Sequence, residues 1–192
     1  MDFLNSETRK NLLRSFAGES QARTRYTIYA QQARKENLEW IARVWEETAA
    51  NEAVHAEEFL EMLQRLGGCA ANGEVNGGYP FQLGTTEENL GFAASGEQAE
   101  HQDVYPGFAE MARREGFRDA ALLWTQIARI EGMHHRRFRS LEEQMRNGEL
   151  TQKKEPISWQ CLNCGYPYES IHACDPCPVC GKSAGWQKGS LD

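Results

Sequence analysis

No apolar run in this sequence approaches the roughly 20 residues that span a bilayer as a helix, and the opening MDFLNSETRK lacks the apolar centre of a secretion signal. Both absences argue against a membrane protein and lead to the expectation of a cytoplasmic one. An excess of positive charge is also missing, since 21 Lys and Arg stand against 28 Asp and Glu for a net charge of -7. Such a chain is repelled by phosphate backbones and anionic headgroups, so nucleic acid and membrane surfaces are excluded as general partners and a small molecule is favoured. Cysteine is nearly absent from most of the chain: five of the 6 (Cys161, Cys164, Cys174, Cys177 and Cys180) crowd the last 32 residues, and Cys69 stands alone without an evident role. In a reducing compartment that crowding reads as a metal site rather than a disulfide framework.

With 192 residues the chain can form one domain, or one with a small appendage. Residues 6–35 contain no proline and place Leu12, Phe16, Ala22, Tyr26 and Ala30 at helical spacing. A second helix is expected from an N-cap at Asn37 to a C-cap at Gly67-Gly68. The glycine-rich stretch GGCAANGEVNGGYPFQLG is long for an ordinary connection and suits the single crossover of a ferritin-like bundle. Thr85 and Glu88 fit a capping box opening a third helix that runs to about Glu115, with a kink expected at Tyr105-Pro106-Gly107. A fourth helix follows from Phe117 or Arg118 to Arg146 and ends at Asn147-Gly148. The fold class is therefore an all-α four-helix ferritin-like bundle at 1–148, followed by a polar linker at 149–157 and a small cysteine-rich metal domain at 158–192.

The second helix raises a chemical question. Glu52 and His55 share a face with Trp45 and Phe59, so an apolar stripe carries a carboxylate and an imidazole at its centre. The fourth helix repeats the arrangement, with Trp124, Glu131, His134 and Phe138 aligning on Trp45, Glu52, His55 and Phe59. The first and third helices match as well: AGESQA around Glu19 lies on SGEQAE around Glu97, with Tyr26 and Tyr105 about two turns downstream. Glu19 to Glu52 spans 33 residues and Glu97 to Glu131 spans 34. A single Glu-x-x-His means little, and a third instance at Glu169 and His172 in the cysteine-rich tail lies outside any helical pattern. The doubled register is specific.

Two Glu and two Glu-x-x-His motifs projecting inward from four helices match the pattern of di-iron and di-manganese carboxylate bundles. Several ionised carboxylates cannot share a buried site without counter-charge, because burial and mutual repulsion would leave some of them protonated. Two divalent cations remove that conflict, with Glu52 and Glu131 bridging, Glu19 and Glu97 terminal, and His55 and His134 supplying nitrogen. This mixed donor set suits iron or manganese better than magnesium or calcium. Glu100, one turn beyond Glu97, adds a fifth carboxylate suited to exchange with His55 as the metal changes oxidation state. Tyr26 and Tyr105 are placed to hydrogen-bond the carboxylates. Trp45, Trp124, Phe59, Phe138, Leu12 and Leu141 read as core, and Glu46-Glu47, Glu57-Glu58, Glu87-Glu88 and Glu142-Glu143 as solvated faces. His101 and His172 read as surface, and the repeat register favours His134 over His135 as the ligand.

The tail contains two Cys-x-x-Cys-Gly knuckles, Cys161 with Cys164 and Cys177 with Cys180, followed by Gly165 and Gly181. Glycine there permits the tight turn that aims backbone N–H groups at the sulfurs. Four thiolates at this spacing point to a tetrahedral site for iron or zinc. No glycine supports a pairing of Cys174 with Cys177, so Cys174 is left outside.

Taken together, the Gly-Glu of the first helix, the two Glu-x-x-His motifs, Gly-Glu-x-x-Glu-His with Tyr-Pro on the third helix, and the terminal Cys-x-x-Cys-Gly-Tyr and Cys-Pro-x-Cys-Gly resemble the rubrerythrin family over essentially the whole chain. The resemblance implies a non-haem di-iron site ligated by Glu19, Glu52, His55, Glu97, Glu100, Glu131 and His134. It further implies that the tail is a β-rich, rubredoxin-like (zinc-ribbon-like) domain with a mononuclear iron on Cys161, Cys164, Cys177 and Cys180, and a homodimer in which the tail of one subunit approaches the di-iron site of the other. The implied activity is reduction of hydrogen peroxide in oxidative stress defence, with electrons from a reductase or rubredoxin that draws on NAD(P)H. The alternatives are a ferritin-like ferroxidase or iron-handling or oxygen-reducing protein and, with zinc in the tail, an interaction module on a bundle.

Overall fold

The computed structural model describes residues 2–67 and 72–190. Cys69 and Gly68 lie outside the described residues. Helix α1 (Glu7–Lys35) packs along α2 (Glu39–Gly67), and the third arm of the bundle packs along α5 (Arg118–Arg146). That third arm is interrupted: α3 (Thr86–Ala99) passes through a π-helical turn (Glu100–Val104) into α4 (Tyr105–Glu115). Three strands, β1 (Gln152–Cys161), β2 (Pro167–His172) and β3 (Gln187–Gly189), form an antiparallel sheet in the order β2-β1-β3.

Most helix ends follow local chemistry. Ser6 accepts from the Arg9 amide at the start of α1, and the carboxylate of Glu115, from the far end of α4, accepts from the amides of Glu7 and Thr8 at 3.0 and 2.8 Å. The Thr85–Glu88 capping box forms as expected. Asn37 corrects the sequence reading. It adopts a left-handed conformation (φ 61°), with the Leu38 amide bonded to Ala33 O and its own amide to Arg34 O. That double bond is the Schellman ending of α1, so Asn37 closes the first helix instead of opening the second.

The expected kink also falls elsewhere. Pro106 sits inside α4, while the irregular turn precedes it, and the Tyr105 amide bonds to Glu100 O five residues back. Proline lacks an N–H and its ring crowds the carbonyl four residues earlier, so the ladder loosens in the turn before it. Residues 72–85 run without regular structure along α1, held by Arg14 Nε to Asn76 O, Tyr79 Oη to Arg14 O and Tyr29 Oη to Gln82 O at 2.9, 3.2 and 2.7 Å. In the tail, β1 begins within the stretch read as linker, and its pairing with β2 is irregular between Gln152 and Ile157, a stretch that contains Pro156.

Two apolar clusters fill the bundle, one on each side of a polar centre. The first gathers Tyr26, Tyr29, Trp45, Leu90, Phe138 and Leu141, and the second Leu12, Phe59, Tyr105 and Trp124. The repeat crosses between helices: Trp45 of α2 meets Phe138 of α5 with ring centroids 4.5 Å apart, and Trp124 of α5 meets Phe59 of α2 at 6.0 Å. Each cluster hides its aromatic rings fully, worth about 1.5–3 kcal/mol per large apolar side chain. Glu142, expected on a solvated face, is instead buried and paired with Arg139 and Arg146. A buried carboxylate persists when its charge is matched in this way.

Candidate metal centres

Between the apolar clusters, the two Glu-x-x-His motifs come face to face. His55 Nδ1 lies 2.8 Å from Glu52 Oε2 and 3.0 Å from Glu131 Oε1, while His134 Nδ1 lies 2.8 Å from Glu131 Oε2 and 3.2 Å from Glu52 Oε1. Each carboxylate therefore turns one oxygen toward each imidazole, which is the disposition of a bridge. The centre divides into two donor groups that share Glu52 and Glu131: Glu19 and His55 complete one, and Glu97 and His134 the other. Tyr26 donates its hydroxyl to Glu97 Oε1 and Tyr105 donates to Glu19 Oε1. Glu100 belongs to neither group, yet it sits close enough that its charge acts on Glu19 and Glu97.

The electrostatics explain why this centre calls for cations. Burial, then repulsion from Glu100, Glu52 and Glu131, holds the Glu19 carboxyl well above the usual range. Burial likewise raises Glu97 far more than its bond with His134 lowers it. Glu100 is pushed up to about 8 by burial and by Glu131 and Glu52, with Arg25 and His55 opposing. Burial would lower His55, but its hydrogen bonds to Glu131 and Glu52 raise it to about 9, and contacts with Glu131, Glu52 and Glu97 raise His134 to about 12. Protons thus take the place of positive charge among these ligands.

The donor set fits a pair of metal ions. One ring nitrogen donates one proton, so only the bonds to Glu52 Oε2 and Glu131 Oε2 are well directed. Glu52 Oε1, Glu131 Oε1 and Glu97 Oε2 remain buried without a directed donor, although an imidazole lies nearby. Orphaned carboxylate oxygens are costly in a protein interior, and all three converge on the space where cations would satisfy them. Asn51, which the sequence reading passed over, accepts from His134 Nε2 at 3.3 Å and so orients the ring with Nδ1 toward the centre. Its only sequence signal is its place immediately before Glu52.

In the tail, the Sγ atoms of Cys161 and Cys180 lie 3.6 Å apart and those of Cys164 and Cys177 3.7 Å apart. Four sulfurs held tetrahedrally at about 2.3 Å from one ion would be separated by about 3.8 Å. The four thiols therefore form a cage of the right size. Gly165 and Gly181 take φ of 78° and 72°, as the knuckle turn requires. The Asn163 side chain and the Lys182 amide pull Cys180 down to about 6, favouring the thiolate that binds metal. Burial pushes Cys177 up, but the amides of Val179 and Cys180 more than reverse this. Cys174 stays outside the cage, where its amide donates to Tyr168 Oη at 2.8 Å.

The remaining candidates sort cleanly. His172 is exposed, as are Glu46, Glu47, Glu57 and Glu58. His101 departs from the surface reading: it is half-buried, with Nδ1 at 2.6 Å from Ala128 O, and His135 makes the same kind of bond to Ala94 O at 2.7 Å.

Comparison with known proteins meets this geometry. The rubrerythrin family profile matches residues 10–142. The chain belongs to the rubrerythrin family. It is 46% identical over 176 residues to a rubrerythrin of Porphyromonas gingivalis, covering 91% of this chain and 86% of that one. It is 43% identical over 177 residues to a rubrerythrin of Clostridium perfringens, covering 91% and 90%. Among solved structures, nigerythrin in a mixed-valence state superposes with a TM-score of 0.64 at 25% identity, covering 99% of this chain and 94% of that one. Rubrerythrins are iron proteins of oxidoreductase type, and the paired carboxylate–imidazole centre and the four-cysteine cage of this chain are the candidate sites for that iron. Among the described residues no helix is long and apolar enough to cross a membrane.

Proposed function

We propose that this chain reduces hydrogen peroxide to water in the cytoplasm as a defence against oxidative stress. In this reading it works as a homodimer and receives electrons, through its tetrathiolate site, from a reductase or rubredoxin that draws on NAD(P)H. Glu19, Glu52, His55, Glu97, Glu100, Glu131 and His134 are the proposed ligands of the paired site, and Cys161, Cys164, Cys177 and Cys180 those of the single one. The division into a bundle at 1–148, a linker at 149–157 and a tail domain at 158–192 belongs to the same reading.

Iron supplies the redox chemistry when bound, two ferrous ions holding the two electrons that one O–O bond accepts and the tetrathiolate iron changing by one. Conversion of peroxide to two waters also consumes two protons, and the residues of the chain hold protons at the centre. Glu100, pushed up to about 8, holds a proton in the metal-free centre and would give it up on binding metal. Tyr26 and Tyr105, raised by burial and by the carboxylates Glu97 and Glu19 that face them, keep theirs on hydroxyls directed at those carboxylates. Glu52 and Glu131 orient both metal positions at once, and the aromatic clusters on either side exclude bulk water.

The observation that carries the reading is the presence, in one chain, of a paired carboxylate site and a tetrathiolate cage. Storing or oxidising iron needs no attached electron-transfer centre. The test is steady-state turnover of iron-loaded protein with a rubredoxin-type donor, following peroxide and dissolved oxygen separately. Faster peroxide consumption is expected. Consumption led by oxygen would move the assignment to a ferroxidase or oxygen-reducing protein.

A further inference from the structure

Two histidines outside the proposed ligand set form a pattern of their own. His101 lies four residues after Glu97 and its Nδ1 meets Ala128 O, three residues before Glu131, at 2.6 Å. His135 lies four residues after Glu131 and its Nδ1 meets Ala94 O, three residues before Glu97, at 2.7 Å. The two bonds are therefore exchanged reciprocally between the third arm of the bundle and α5, and Glu97, Glu100, Glu131 and His134 lie between them. A carbonyl oxygen only accepts, so each ring must carry its proton on Nδ1, which fixes both tautomers.

The packing is built around one of these rings. A Cβ on Gly132 would lie 2.9 Å from the His101 ring, closer than real side chains approach. Glycine inside a helix costs about 1 kcal/mol relative to alanine. Its presence between Glu131 and His134 is accounted for by the space the His101 ring occupies. His101 itself belongs to the π-helical turn that begins at Glu100, the least regular part of the backbone carrying proposed ligands.

Resting on the paired-metal reading above, we propose that His101 and His135 are positioning residues: reciprocal latches that fix the spacing and register of the third arm against α5. They hold in place the π turn, which carries Glu100. Neither histidine touches metal or substrate; each acts through the backbone that carries the ligands.

The test compares His101→Leu and His135→Leu, which remove the donor, with His101→Asn and His135→Asn, whose side-chain amide keeps one. Ferrous affinity of the paired site is measured by chelator competition, and the mixed-valence paramagnetic spectrum of that site is recorded in full-length protein. Melting of the metal-free forms is followed in parallel. Loss of an orienting bond around metal ligands typically costs 10–100-fold in affinity, so about a 10-fold loss and an altered spectrum are expected in the leucine variants, with recovery in the asparagine variants. Leucine variants that melt at lower temperature yet keep native ferrous affinity and spectrum would overturn the proposal, reducing both histidines to packing. Unaltered protein that fails to bind paired iron would refute the metal reading itself, and the latch proposal would fall with it.

Discussion

At the scale of single residues, the centre is a cluster of charges that burial alone would not tolerate. Tyr26 donates to Glu97, and its ring packs among Trp45 and Phe138. Tyr26→Phe keeps that packing and removes only the hydroxyl, so it isolates the effect of the hydrogen bond on the ligand. The expected result is a loss of about 10-fold or more in metal affinity, read by calorimetric titration of the metal-free protein with Mn(II) or Fe(II). The raised Glu19, Glu97, Glu100 and His55 lead to a second expectation. Glu100, pushed up to about 8, and His55, raised to about 9, hold protons at neutral pH in the metal-free centre, Glu19 and Glu97 hold theirs more tightly than ordinary carboxyls, and a cation must displace them. Metal loading of weakly buffered protein should therefore acidify the solution, measured with an indicator dye, and apparent affinity should fall as pH is lowered. Loading without proton release would mean that the carboxylates are already ionised. The residues that gather at the paired centre were legible in the sequence because Glu-x-x-His recurs in register on two helices. Asn51, His101 and His135 were not, because their partners are set by which turns of neighbouring helices come level.

At the scale of elements, the bundle depends on contacts between helix ends as well as on its core. The Glu115 carboxylate accepts from the amides of Glu7 and Thr8 and from the Thr8 hydroxyl, where the positive end of the α1 dipole favours negative charge. Burial would raise its pKa, but these bonds, led by those from Thr8, hold it below the usual carboxylate value. A depressed carboxylate stabilises the fold above its unfolded pKa, and that contribution disappears as pH falls through the folded value. Glu115→Gln is thus expected to cost about 1 kcal/mol at pH 7 and less at a pH below the ordinary carboxylate value of about 4, as measured by denaturant unfolding of metal-free protein at the two pH values. An equal cost at both would show that shape, not charge, matters there. The helices themselves were readable from periodicity and from the Thr85–Glu88 box. The turn at Asn37 was misread because asparagine suits both an N-cap and a left-handed helix ending, and only the bonds to Ala33 and Arg34 decide between them. The position of the kink was misread for a related reason: Pro106 disturbs the turn before it, which the residue alone does not mark.

At the scale of the whole molecule, the chain joins a paired carboxylate–imidazole centre to a four-cysteine cage, and that pairing is the centre of the functional account. The two sites come from different sequence signals, helical repeats in the bundle and paired knuckles in the tail. The direct test is made on iron-loaded protein reduced without oxygen and mixed with an excess of peroxide, enough to take the electrons of both sites, following the visible ferric-thiolate absorption of the tail. The expected result is rapid return of that colour as electrons leave the tetrathiolate iron for the bundle, abolished in Glu52→Ala. Colour that returns no faster than in air-saturated buffer without peroxide, or as fast in Glu52→Ala as in the unaltered protein, would contradict the account.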